Sequence, residues 1–218
     1  MRIVAVVVLL CGVTSAVWAQ DRDRWEVSGQ AGVSLYNDTK ATGTSPTRAA
    51  KAGFFDGVAV GAIWTQNGGH HWGGEFHYLF QTNNMRLKGA DSTTGQADFG
   101  AQSHSFHYDA VLYFTDREAR VRPFIAGGPG LKVYQATGQE RAFRPLDTIV
   151  VFAHENDVKF MVSAGGGVKV RVGGNALVRF DFRDYVTGIP KGFVTYPGVK
   201  FGGQFHNLVL TGGLGITF

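Results

Sequence analysis

The chain has 218 residues, 44% hydrophobic, 13% aromatic and 17% charged, with 31 glycines, 6 prolines, one cysteine and a formal net charge of +4. The aromatic content excludes a disordered chain, and a single cysteine excludes a disulfide scaffold. The only apolar run long enough to suggest a spanning helix lies at the extreme N-terminus and mean hydropathy is -0.04, which excludes a helical membrane bundle; the excess of glycine and aromatics over charge points to an all-β chain.

Residues 1–19 read as a cleavable export signal. Arg2 supplies the positive start, Ile3 to Val13 the apolar stretch, and Val17-Trp18-Ala19 a small-x-small site before Gln20, with Ala16 as a second possible cleavage point. Cys11 lies inside the apolar stretch behind Leu9-Leu10 and lacks the small residue that a lipidation site needs before its Cys. Removing the signal takes only Arg2 among the charges and leaves a net +3, too little to argue for a nucleic-acid partner. Residues 20–218 then form one domain.

In chain order, that domain reads as eight alternating segments. Residues 25–36 set Trp25, Val27, Val33 and Leu35 against Glu26, Ser28, Gln30 and Tyr36. Residues 53–65 set Phe54, Val58, Val60, Ala62 and Trp64 against Gly57, Ala59 and Gly61. Residues 72–82 set Trp72, Phe76, Tyr78 and Phe80 against Glu75, His77 and Gln81, and 103–114 set Phe106, Tyr108, Leu112 and Phe114 against Ser105, His107 and Asp109. The glycine-rich fifth segment, 121–136, is ambiguous because Phe124 and Ile125 lie on opposite sides; Ile125, Leu131 and Val133 are taken as its apolar face. Residues 158–172 set Val158, Phe160, Val162 and Val170 against Lys159, Met161, Lys169 and Arg171, and 176–187 set Val178, Phe180 and Phe182 against Arg179, Asp181, Arg183 and Tyr185. The last segment puts Leu208, Leu210, Leu214, Ile216 and Phe218 opposite Asn207 and Thr211.

Segments of about ten residues suit a tilted bilayer crossing, whereas soluble strands run nearer five or six. The connections at 37–52, 83–102, 137–157 and 188–203 are long, and those at 66–71, 115–120 and 173–175 short. This strict alternation predicts an up-and-down transmembrane barrel with short periplasmic turns and both termini in the periplasm. Trp25, Trp64 and Trp72, with Phe114 and Phe218, fall at the periplasmic level as an aromatic belt. The charges Glu75, His77, His107, Asp109, Lys169, Arg171, Arg179, Asp181 and Arg183 share the opposite face. They are too many for a dry soluble core, so they are expected to line a narrow polar lumen with lipid outside.

The chain resembles the small eight-stranded outer-membrane barrels, the family of the transmembrane domain of outer membrane protein A. The resemblance rests on Arg120-Val121-Arg122-Pro123-Phe124 followed by Gly127-Gly128-Pro129-Gly130, and on the ending Gly212-Gly213-Leu214-Gly215-Ile216-Thr217-Phe218. It implies an outer-membrane location, lipid and lipopolysaccharide as surroundings, and recognition of the strand ending in Phe218 by the outer-membrane assembly machinery. No peptidoglycan-binding segment follows Phe218, so the resemblance does not carry over a cell-wall anchoring role.

The lumen charges could line a conduction path or pair across the interior. An eight-stranded barrel is just wide enough to be filled by side chains, which favours pairing of Glu75 and Asp109 with Arg179 and Arg183. His104, Ser105 and Asp109 suggest a hydrolase, but His104 and Ser105 point to opposite faces of a strand, so no catalytic residue is assigned. His70 with His71, and His104 with His107, lack Cys or carboxylates at compact ligand spacing, so no metal is assigned. The clusters Gly127-Gly128-Pro129-Gly130 and Gly165-Gly166-Gly167 open no helix and lack a following Lys-Ser/Thr, which argues against phosphate binding and for no cofactor. Lys191 and Lys200, with no carboxylate between them, are candidates for lipopolysaccharide contact. The sequence-based expectation is a monomeric barrel with a structural or surface-interaction role, followed by a narrow porin and then a lipid-modifying enzyme.

Overall fold

The computed structural model describes residues 24–42, 49–88, 96–138, 141–143, 150–152, 156–190, 194–195, 200–201 and 203–218. The export signal therefore lies outside the described residues. Eight long strands are present: β1 (Trp25–Tyr36), β2 (Gly57–Asn67), β3 (Trp72–Thr82), β4 (Ala101–Tyr113), β5 (Val121–Ala136), β6 (Asn156–Gly173), β7 (Ala176–Thr187) and β8 (Phe205–Thr217). Each pairs antiparallel with its chain neighbours, and β1 pairs with β8, so the sheet closes on itself. At the seam the Trp25 amide donates to the Phe218 carbonyl at 3.0 Å and the Phe218 amide donates back at 2.9 Å. Closure satisfies every strand's backbone without leaving an edge. At about 3.4 Å per residue, the 12 residues of β1 extend roughly 40 Å.

The barrel is apolar outside and polar inside. Phe76 is 47% exposed and Leu214 70%, whereas Glu75, Asp109 and Arg179 are 0% exposed. In water this arrangement would leave a continuous apolar surface hydrated while burying charge, both unfavourable; against hydrocarbon the outer face is favourable. The outward positions turn polar at the long-loop end, at Thr82, Gln102, Gln135, Asn156, Asp184 and His206, which bounds the apolar band.

Several expectations are corrected. The second strand starts at Gly57 rather than residue 53, and Phe54 is 2% exposed rather than outward-facing. The Phe55-Asp56 break resets the alternation: Phe55 donates its amide to the Asn84 carbonyl at 2.8 Å, and Phe54 turns inward over the lumen. The fourth strand runs 101–113, leaving Phe114 just past its end, and the sixth runs 156–173. Parts of the long connections are strands as well: 39–42, 49–54, 85–88, 96–99 and 200–201 form a five-stranded sheet, and 141–143, 150–152 and 194–195 a three-stranded one. Ladder hydrogen bonds run between backbones, so hairpins continue beyond the apolar band through short segments, such as Thr39–Thr42, whose side chains carry no clear alternation. The tightest turn, Gly174-Asn175 between β6 and β7, places Gly174 at φ +50°, where a Cβ is disfavoured.

Candidate functional site in the barrel lumen

Period-two geometry sends the inward residues of all eight strands into one channel of side chains, and the strand register places like charges side by side. Glu75 on β3 is opposite Asp109 on β4, and Lys169 on β6 is opposite Arg179 on β7. Such neighbours repel. The repulsion is relieved across the lumen, because the acidic β3–β4 wall faces the basic β6–β7 wall.

Glu75 is the hub. One carboxylate oxygen accepts from Lys169 Nζ at 2.9 Å, from Thr65 Oγ1 at 3.1 Å and from Arg179 at 3.3 Å. The other accepts from His77 Nε2 at 3.0 Å, Arg179 at 3.1 Å and Arg183 at 3.2 Å. Arg179 is also held in a two-pronged pair by Asp181, at 2.7 and 2.8 Å, the planar geometry that makes Arg–carboxylate pairs strong. Arg183 pairs with Asp109, whose other oxygen lies 3.0 Å from His107 Nδ1. The His107 ring stacks on His77 at 4.4 Å, and its Nε2 lies 3.2 Å from the Tyr185 hydroxyl. Lys169 reaches Glu26 at 2.8 Å and the Tyr113 hydroxyl at 3.0 Å.

Two inward glycines make room for these long cations. A Cβ at Gly165 would run into the Phe182 carbonyl oxygen and sit 3.0 Å from Arg183 Cδ, and one at Gly213 would sit 2.5 Å from the Gly29 carbonyl oxygen and 3.3 Å from Arg179 Cγ. The glycine clusters thus belong to packing around the lumen.

Toward the long-loop end the fully buried polar groups among the described residues are neutral apart from Lys132, while Asp157 and Lys159 pair at 2.8 Å, part-buried at the start of β6. The Lys132 ammonium donates to Tyr36 Oη and Gln81 Oε1 at 2.6 Å and to Asn207 Oδ1 at 2.8 Å. Ser34 accepts from both Gln81 and Asn207 at 2.7 Å. Phe54 covers this layer, stacked on Tyr134 at 5.6 Å and flanked by Tyr36 at 4.9 Å and Phe205 at 5.5 Å.

Of the nine charged or imidazole residues assigned to one face, eight are buried together. Arg171 is the exception: it lies at the short-turn mouth, half-buried, with its guanidinium 3.5 Å from the Arg117 carbonyl. The wall there opens to solvent, so the position is inward-facing without reaching the central pairs. Trp25, Trp64, Trp72, Phe114 and Phe218 cluster at the short-turn end, with Trp25 and Trp64 rings 5.5 Å apart and the other three largely exposed. Lys191 and the Lys200 side chain lie outside the described residues. Ser105 is buried in the lumen while His104 faces out and bonds the Tyr78 hydroxyl at 2.9 Å, so the two share no proton. His70 and His71 each lie 3.6 Å from Asp116, and among the described residues no group of three or more His, Cys, Asp or Glu is placed to hold a metal ion.

Sequence reasoning missed Glu26, Lys132 and Arg122. Glu26 follows from the alternation of β1 itself. Lys132 and Arg122 sit on the glycine-rich β5, where they share the face opposite Ile125 and Leu131, so the choice of apolar face already implied them.

No protein-family model matches the chain, and no curated protein matches it. Among solved structures, Neisserial surface protein A is similar with a TM-score of 0.47 and 14% identity, covering 91% of this chain and 100% of that one. The N-terminal β-barrel domain of Pseudomonas aeruginosa OprF has a TM-score of 0.46 and 11% identity, with coverage of 91% and 100%. Ail, the attachment invasion locus protein of Yersinia pestis, has a TM-score of 0.36 and 12% identity, with coverage of 88% and 98%. The closed barrel rests on the strand pairing of this chain, and in that fold the chain is similar to small outer-membrane barrels of bacteria.

Proposed function

We propose that the chain is a bacterial outer-membrane β-barrel with a structural or surface-interaction role, its lumen plugged by its own side chains. The observation that carries this reading is the set of ion pairs spanning the interior from Glu75 and Asp109 to Arg179, Arg183 and Lys169. A conduction path would have to separate them, at a cost of several kcal/mol per uncompensated buried charge. The aromatic cover of Phe54, Tyr134 and Phe205 supports the same reading at the long-loop end. In this orientation the short turns and both termini face the periplasm, the tryptophans sit at the inner interface, the long connections meet lipopolysaccharide, and Phe218 ends the strand presented to the assembly machinery.

The test is reconstitution of the purified protein into a planar bilayer. No steady conductance is expected from the wild-type chain, and discrete, persistent current steps would overturn the plug in favour of a narrow channel. Protease added to intact cells checks the orientation: cleavage should fall in the long connections and spare the short turns.

A further inference from the structure

The short-turn mouth carries a feature that the plug does not use. A solvent-open cleft of about 20 Å³ is lined by Glu26, Asn67, Arg120, Arg122, Lys169 and Arg171, four cations against one carboxylate. That carboxylate is already committed to Lys169 at 2.8 Å and Arg179 at 3.4 Å. Arg122 is the key group. It is only 6% exposed, its guanidinium carbon lies over the Tyr113 ring 3.7 Å from the centroid, and it donates at 3.3 Å to Asn67 Oδ1 and to the His70 carbonyl. Its Nε–H, however, is buried with no hydrogen-bond partner among the described residues. A buried charged donor left unmatched is costly, and the arginine is held in place by contacts on its other edge and on its face.

We infer that this mouth is an oxyanion site, in which one oxygen of a carboxylate or phosphate group inserts against Arg122 with Arg120 and Arg171 at the rim. The cleft volume is close to that of one water-sized oxygen, so the site takes the terminal group of a ligand and leaves the remainder in solvent. Arginines suit this task because their planar donors match carboxylate and phosphate edges. The Tyr113 ring beneath it and its bonds to Asn67 and His70 hold the Arg122 guanidinium in place before binding, which lowers the ordering cost.

Arginine Nε–H resonances of the full-length protein in detergent, with Arg122 assigned by its loss in Arg122→Lys, are titrated with inorganic phosphate and, separately, with chloride at matched ionic strength. A saturable shift of the Arg122 resonance with phosphate but not chloride is expected, weakened about tenfold in Arg171→Gln through loss of one charge-assisted contact. Equal, non-saturating shifts with both salts would overturn the inference, as would saturable phosphate binding of unchanged affinity in Arg171→Gln.

Discussion

The two halves of the lumen bury charge in different ways. Near the short turns, four carboxylates, Glu26, Glu75, Asp109 and Asp181, meet three cations, Lys169, Arg179 and Arg183, in a web where nearly every member has more than one partner. Toward the long connections, Lys132 is the one fully buried charge among the described residues and is held by neutral oxygens of Tyr36, Gln81 and Asn207. An ionic web depends on each member, because removing one strands its partners. A single ammonium among neutral acceptors can be removed with only ordinary hydrogen-bond losses.

The strongest way to break this contrast is Glu75→Ala. It leaves Arg179, Arg183 and Lys169 sharing fewer carboxylates, and a loss of about 3 kcal/mol or more is expected in the denaturant midpoint and in heat-modifiable gel mobility. An unchanged midpoint would mean that water, not the arginines, solvates Glu75. Next, Leu210→Arg places a charge on the outward face near the middle of β8, and should cost about 2–4 kcal/mol when refolding into bilayers. The absence of any penalty would contradict hydrocarbon as the outer solvent.

Gly165→Ala drives a methyl against the Phe182 carbonyl beside Arg183 and should cost about 1–3 kcal/mol by crowding, with the denaturant midpoint again as the readout. Lys132→Met sharpens the comparison from the other side, with an expected change of about 1 kcal/mol or less; a loss matching that of Glu75→Ala would erase the distinction between the halves. Smallest of all is Arg86→Gln, which removes the part-exposed pair with Asp38 at 2.7 Å and should shift the midpoint by less than about 1 kcal/mol.

Much of this was legible in the sequence because a barrel wall obeys a single rule. Strict alternation in β3, β4 and β7 located Glu75, Asp109, Arg179 and Arg183 on one face, and the spacing of short and long connections gave the strand order. What resisted was local. On β5 apolar and small residues occupy both faces, which hid Lys132 and Arg122. At Phe54 a two-residue break reversed the side to which the next alternating residue points, a change that no period count detects. The continuation of the ladders past the apolar band also left no trace in the pattern, since backbone pairing asks little of side chains such as those of Thr39–Thr42. Within the lumen, alternation assigns a face but not a partner: Arg171 shares its face with Lys169 yet stops at the mouth.

The separation of acids and bases onto different walls has a bearing on how the chain assembles. While the ribbon is still open, Glu75 beside Asp109 and Lys169 beside Arg179 are held as mutually repelling neighbours by their own registers. Asp181 offsets part of the charge of Arg179 within β7, but the attraction of Glu75 and Asp109 for Lys169, Arg179 and Arg183 is gained only when the curling sheet brings the walls face to face. Since β1 must also wait for β8 at the far end of the chain, ring formation and the neutralisation of Glu75 and Asp109 arrive together as one late, cooperative event, and a truncated nascent chain has little to gain from closing early.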